Sequence, residues 1–439
     1  MKPLGVLSLA VVVTTAAFMW WQAGGPSWYG VAIMSLLAAK MVLSWRAKDA
    51  TVTTPEGHAQ LDALHVGVAV PSFNEDPALF ARTLRSLYDQ TRRPQSIVVV
   101  DDGSTDLRAV EEAERWVDRF AAVGVVMQVV RFGENRGKRQ GLIAAFDAQP
   151  DADILVGVDS DTVLTPEAVA EGLAPMLDPQ VMASTGLVLP LNHDTNVLTR
   201  LMDVRYANGF LFERAAYSSL GSVLCACGSL AFYRTSVVRK YREDFLTQTF
   251  LGRPAVFGDD RRMTNYALME GKSVFQSTAV AFTAVPERMG HYVRQQVRWN
   301  KSFFRESVWS LLNQPSGRPA FWLTAVELGT WFTFTCALIL ALVVNPIQTG
   351  TLLIGPYLVY TALLAYARSV RYFEITGLRK SRREVLYGFA LAPLYGVLHI
   401  GLLVWLRLYA LATLRSGTWG TRKNGVEVSV RDHAAALPS

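Results

Sequence analysis

Cysteine is nearly absent. Cys225, Cys227 and Cys336 are the whole complement in 439 residues, an odd count without metal-knuckle spacing. That excludes a disulfide framework and a zinc site, and it agrees with a reducing compartment. Charge is scarce too: 18% of residues are charged against 51% apolar, too few for an ordinary soluble protein. Internal repeats and low-complexity tracts are missing, which excludes a repeat array. The phosphate-loop spacing G-x-x-x-x-G-K-[ST] does not occur, and no acidic run has the spaced ligands and terminal Glu of a calcium loop.

What the chain has instead is long apolar runs. Leu4 to Trp21 carries no charge and is about long enough to cross a hydrocarbon core; Trp28 to Trp45 follows. The first run ends in Trp20 and Trp21 rather than in a small-residue cleavage site, so it reads as a span and not as a signal peptide. The loop between them is uncharged, whereas Lys40, Arg46 and Lys48 gather at the far end. The positive-inside rule then places both ends of this hairpin, residues 1–48, in the cytoplasm. Further on, Phe321 to Val344 spans and Thr351 to Ala367 returns. Val385 to Leu414 has arginines before it (Arg382, Arg383) and after it (Arg415, Arg422), which predicts a hairpin or re-entrant segment broken near Pro393 within a membrane region 319–414. The net charge of +6 and pI near 9.2 are explained by basic loops beside spans, so no nucleic-acid partner is expected.

Residues 49–290 have the texture of a soluble α/β domain. HVGVAVP (65–71), SIVVVDD (96–102), VVMQVVR (125–131) and DILVGVD (153–159) read as strands, with LFARTLRSLYDQ at helical spacing between the first two. Alternation of this kind predicts a mostly parallel, doubly wound sheet that binds ligands at the carboxyl ends of its strands. The acids sit there. One strand runs into Asp101 and Asp102, another ends at Asp159 and Asp161, and such carboxylates either cap turns or hold nucleotide donors and a hard divalent cation. In GENRGKRQG (133–141), Lys138 and Arg139 either start a solvated helix or meet phosphate oxygens. In FGDDRR, Asp259 and Asp260 either cap a helix or supply a general base.

The stretch QQVRWNKSFFRES (295–307) interleaves cations with aromatic rings just ahead of an apolar run. An amphipathic helix over residues 291–318, lying at a membrane interface, is expected, with Phe303, Phe304 and Trp309 toward lipid and the outward cations toward headgroups. A sugar's C–H face also packs on an indole, and a guanidinium offers a fork to phosphate oxygens.

The ordered set DDGSTD, NRGKR, DSD, GDDR and QQVRW resembles the processive family 2 glycosyltransferases, the group of cellulose, chitin and hyaluronan synthases. RWNKSFFRES and the terminal LYGVLHIGLLVWLRLYALATLRSGTWGTRK are most similar to the bacterial class I, streptococcal-type members. The resemblance covers nearly the whole chain. It implies an α/β GT-A, Rossmann-like cytosolic domain, an α-helical transmembrane channel domain and interfacial helices, in a multi-pass enzyme of the plasma membrane. It further implies inverting transfer from UDP-sugar donors to a growing polysaccharide, with Mg2+ or Mn2+ on Asp161 and Asp159. Asp101, Asp102, Lys138, Arg139 and Arg298 would bind the nucleotide sugar. Asp260 would be the base and Asp259 its alternative. Gln295, Arg298, Trp299, Cys225 and Gly228 would meet the acceptor. Trp419, Thr421 and Arg422, in the tail 415–439, would belong to a gating loop that closes over the nucleotide. Membrane lipids are expected partners, and a homo-oligomer is compatible with the plan. Cys227 and Ser229 stand where hyaluronan synthases usually read Ser and Pro; the Cys-x-Cys-Gly pattern is similar to nodulation-type chitin-oligosaccharide synthases. The donors are therefore expected to be UDP-glucuronate with UDP-N-acetylglucosamine, or the latter alone. Arg234, Arg261 and Arg262 are the candidates for reading a uronate carboxylate.

Overall fold

The computed structural model describes residues 28–350 and 354–415, with a few positions before residue 15. The first apolar run and the WGTR segment therefore lie largely or wholly outside the described residues. The described residues form ten strands: β1 Val66–Ser72, β2 Ser96–Asp101, β3 Val126–Arg131, β4 Ile154–Gly157, β5 Thr162–Leu164, β6 Val181–Pro190, β7 Ala231–Arg234, the short pair β8 Thr249–Phe250 and β9 Arg253–Pro254, and β10 Lys272–Thr283. Eight form one sheet in the order β3-β2-β1-β4-β7-β6-β10-β5. Its first half is parallel throughout. β7 then runs antiparallel between β4 and β6, and β5 closes the far edge antiparallel to β10. The reversal at β7 comes from the segment CACGSLAFYR, whose strand the sequence pattern does not reveal.

The parallel half is buried on both faces, which is why its strands are near-continuous Val and Ile runs rather than alternating ones. All of β1 is buried. Pro71 is tolerated because it stands near the end of its strand, where the sheet stops and the ligand side begins. Helices α1 Trp28–Arg46, α2 Pro77–Tyr88, α3 Arg108–Ala121, α4 Lys138–Asp147, α5 Val197–Ala207, α6 Asp259–Glu270 and α7 Met289–Asn313 follow in chain order. α2 starts at an Asp76 cap that accepts from the Ala78 and Leu79 amides at 3.0 Å, with Pro77 in its first turn. α5 continues into a π-helical turn, Asn208–Arg214. Such turns are rare and tend to occur at functional sites.

Among the described residues, two helices are long and apolar enough to cross a membrane: α8, Pro319–Thr349, and, after the shorter α9, Ile354–Arg368, the 31-residue α10, Arg382–Ala412. α10 corrects the expected hairpin. Pro393 does not reverse the chain, because it falls in the first turn after a one-residue break at Leu391, where its missing N–H costs no helical hydrogen bond. The first half of α10 packs on α5 and its last segment on α7. The two ends of α10 thus pack on different helices, and the chain does not double back between them.

A second correction concerns α7. Phe304 is buried edge-on against Trp331 of α8. Trp309 lies under the Arg262 guanidinium, and Arg305 is buried. The helix carries apolar and polar residues on several faces because α6, α8 and α10 all contact it, and a one-sided lipid face is not what results.

Candidate active site

A cavity of about 800 Å³ opens at the carboxyl ends of the parallel strands. Asp102 from the β2 end, Asp159 and Asp161 from the β4 end, and Asp259 and Asp260 from the head of α6 all line it. Asp102 accepts from the backbone N–H groups of Arg136 (2.6 Å) and Gly137 (2.9 Å), which folds the NRGK loop over the strand end. Asp101 points the other way, as strand alternation dictates. It is fully buried, accepts from the Ser104 amide and faces Arg131 Nε at 3.4 Å. Asn74 is held in the left-handed region, φ 48°, by side-chain bonds to the Thr105 and Asp106 amides, so it clasps the ends of β1 and β2 together.

Lys138 and Arg139 separate in the same manner. Lys138 lines the cavity, its Nζ 2.5 Å from Asp159 Oδ1 and 3.6 Å from Asp259 Oδ2. Burial opposes its charge, but Asp159, Asp259 and Asp260 overcome that and keep it protonated. Arg139 turns into the core, where it bonds the Phe245 and Phe257 carbonyls and Gln248. The structure does not bring it to the cavity; one helical step of about 100° separates the two side chains.

The GDD pair divides electrostatically. Burial would raise Asp259, yet Lys138 and Arg139 outweigh it and hold this carboxyl below the usual carboxylate range. Burial, with Asp259 and Asp159 nearby, pushes Asp260 up to about 7 despite Lys138. Gly258 sets the entry to this helix: its φ of 90° favours glycine, and a Cβ there would meet Ser302 Oγ at 2.3 Å.

Cys225 and Cys227 also line the cavity. Burial raises both thiols, Cys227 to about 12, which keeps them protonated near neutral pH. Gly228 sits against Asp260, its N–H donating to Oδ2 at 3.0 Å. From α7, Gln295, Arg298 and Trp299 reach the cavity, and Trp299 is 40% exposed beside the Tyr206 ring. The Gln295 amide oxygen is buried with no hydrogen-bond partner among the described residues. Thr283 donates to Asp161 Oδ1 at 3.0 Å. Trp419, Thr421 and Arg422 lie outside the described residues.

Several lining residues escape the sequence reading. Tyr206, Phe210 and Arg214 recur four apart along α5 and its π turn, a signal that was present but indistinguishable from a core stripe. Arg214 bonds the Cys225 carbonyl at 2.9 Å and covers the Phe210 ring. Deeper in, Lys40, Glu327, Tyr395 and Arg407 line the same cavity from α1, α8 and α10. α7 and α6 are locked behind the site by Glu306, fully buried, 2.7 Å from Arg262 and 2.9 Å from Arg305.

The model of the glycosyltransferase-like family 2 matches residues 63–302. The chain is 37% identical over 428 residues to a hyaluronan synthase of Streptococcus pyogenes serotype M3, covering 96% of this chain and 97% of that one. It is 32% identical to an N-acetylglucosaminyltransferase of Azorhizobium caulinodans, covering 82% and 87%. Among solved structures, a mannosyltransferase from Pyrobaculum calidifontis in complex with GDP-mannose and Mn2+ shares the fold, at TM-score 0.54 and 17% identity over 90% of this chain and 99% of that one. An acid-rimmed cavity at the ends of a GT-A sheet, a family match across that domain and a near full-length likeness to a synthase agree: the chain belongs to glycosyltransferase family 2, alongside the bacterial hyaluronan synthases.

Proposed function

We propose that this transferase alternates UDP-glucuronate and UDP-N-acetylglucosamine to build hyaluronan, and that it passes the product toward the membrane through the cavity that holds the reaction. The observation that carries this reading is continuity. One cavity is lined both by the acids at the strand ends and Trp299 and by Glu327 and Arg407 on the long apolar helices. A transferase that released its product to water after one transfer would have no use for the far half.

Asp161, with Asp159, would hold Mg2+ or Mn2+; both are hard oxygen donors lining the cavity beside Thr283, the set such ions take. A cation there supplies charge for the departing diphosphate. Asp260 takes the proton from the acceptor hydroxyl, whose oxygen attacks the anomeric carbon as the bond to UDP breaks. Its raised pKa suits a base near neutral pH better than Asp259, which is tied to Lys138. Trp299 offers its face to the acceptor sugar, and Arg298 and Lys138 face the diphosphate. Asp102 and the loop it holds shape the nucleotide side, with Asp101 fixing the turn beneath. Gln295, Cys225 and Gly228 border the acceptor. The catalytic domain faces the cytoplasm from the plasma membrane, with lipid around the apolar helices.

Of the three arginines considered for the uronate, only Arg261 lines the cavity. Arg234 is spent on the Val181, Met176 and Asp178 carbonyls, and Arg262 on Glu306. The test supplies each donor singly and both together. Long product that needs both donors and is digested by hyaluronidase supports the reading. Chitinase-sensitive oligomers from UDP-N-acetylglucosamine alone overturn it in favour of chitin-oligosaccharide synthesis.

A further inference from the structure

We propose that Ser229 is a positioning residue for Asp159, acting through a turn that also holds the candidate base; this rests on reading Asp159 and Asp161 as the metal side of the site. The turn is Cys227 to Leu230, closed by the Leu230 amide on the Cys227 carbonyl at 2.9 Å. It is pinned to β6 by the Cys227 amide on Thr185 Oγ1 at 3.0 Å. From it, two successive residues reach two different acids. The Gly228 N–H donates to Asp260 Oδ2 and the Ser229 hydroxyl to Asp159 Oδ2, each at 3.0 Å. One peptide unit, with its fixed Cα–Cα span of about 3.8 Å, thereby sets the base against the metal-side carboxylate.

Ser229 has a distinct job in this arrangement. Asp159 Oδ1 is bound by Lys138 Nζ at 2.5 Å, and Lys138 also leans toward Asp259. The terminal torsion of an aspartate is soft, so with Lys138 alone the carboxylate plane would follow the ammonium. The Ser229 hydroxyl fixes the second oxygen and with it the plane. Each carboxylate oxygen has about two lone-pair sites, so both donors leave acceptor capacity facing the cavity. Ser229 is 5% exposed and stands at the cavity wall, so its hydroxyl holds Asp159 where that carboxylate meets the cavity. Its effect should therefore appear in cation affinity, where outer-shell partners of ligands are typically worth about 10- to 100-fold.

The experiment uses the purified full chain in detergent with UDP present, titrates Mn2+, and reads bound ion by electron paramagnetic resonance. Ser229→Ala removes only the hydroxyl and is expected to weaken Mn2+ binding about 10- to 100-fold. Ser229→Thr, which keeps the hydroxyl, should restore it. UDP affinity in chelator and the metal-free unfolding midpoint should stay unchanged. Asp161→Asn is the control for the underlying assignment and should lose Mn2+. If Asp161→Asn loses the ion and Ser229→Ala binds it normally, the role of Ser229 is overturned while the metal assignment stands. If Asp161→Asn binds Mn2+ like the parent, the metal assignment fails and the proposal with it. A drop in the metal-free midpoint and in UDP affinity for Ser229→Ala would make the residue merely structural and also overturn the proposal.

Discussion

A Cβ built on Gly228 would meet Asp260 Oδ1 at 2.6 Å, while the Gly228 N–H donates to the other oxygen of the same carboxylate at 3.0 Å. The backbone can approach the acid this closely only because position 228 has no side chain. Gly228→Ala must push the Asp260 carboxylate aside or move the turn. We expect synthesis to fall at least about 100-fold, since a displacement of about 1 Å at reacting groups can cost that much, with UDP binding kept. Activity within a few-fold of the parent would show that this contact does not set the base.

Asp260 should also write itself into the pH profile. Its carboxyl is raised to about 7 by burial and its acidic neighbours, and a base works only when ionised, so turnover should fall as pH drops through that region. A cation on Asp159 and Asp161 favours the ionised form, which moves the limb to 7 or below. Asp260→Asn should lose on the order of 10²- to 10⁴-fold in rate. Stability runs the other way. The folded pKa lies above the ordinary 3.8, so the folded state binds the extra proton and loses stability as pH rises from 3.8 toward 7. At pH 8, Asp260→Asn should therefore melt no lower than the parent. A flat rate profile between pH 5.5 and 8, or a destabilised Asn variant, would remove Asp260 from this role.

The acids were legible because strand-end carboxylates announce themselves by position. What the sequence could not say was which of two neighbours faces the ligand. Asp101 against Asp102 is decided by strand alternation whose phase depends on the sheet, and Lys138 against Arg139 by a helical phase set through Gly137, the N-cap of α4. Phe303, Phe304 and Trp309 looked lipid-facing because amphipathicity was judged on α7 alone, before α6, α8 and α10 surrounded it. The apparent hairpin at Pro393 failed for a related reason: an interrupted apolar run with charged ends fits either a reversal or one long helix whose ends pack on two different helices, here α5 and α7. The π turn at Asn208–Arg214 leaves no residue pattern at all.

Trp299 is exposed in the cavity beside Tyr206, so its truncation should weaken the acceptor and spare the donor. Stacking of this kind is worth about 0.5–1.5 kcal/mol beyond burial, which corresponds to roughly a 2- to 12-fold rise in acceptor KM for Trp299→Ala. Product length should shorten accordingly, and Trp299→Phe should recover part of both. A collapse of UDP binding in Trp299→Ala would mean the ring serves the donor instead.

Glu306 offers a test of how the two halves of the site are held together. It is fully buried on α7 and lies between Arg262, which comes from the base-bearing α6, and Arg305, whose guanidinium also bonds the Phe257 carbonyl just ahead of the GDD pair. Gln248 adds a donor to the same carboxylate at 2.8 Å. Removing it strands two buried guanidinium groups, and breaking a buried pair costs about 3–5 kcal/mol because the remaining charge is uncompensated. For a domain of this size that corresponds to a midpoint roughly 6–20 °C lower, so Glu306→Ala should unfold early in a thermal scan. Glu306→Gln keeps an acceptor for Gln248 but not the charge, and should fall between the two. Because α7 carries both Arg298 and Trp299, the Gln variant, assayed well below its midpoint, should lose acceptor and donor affinity together. If both Glu306 variants melted like the parent, the buried cluster would not be what fixes α7 to α6.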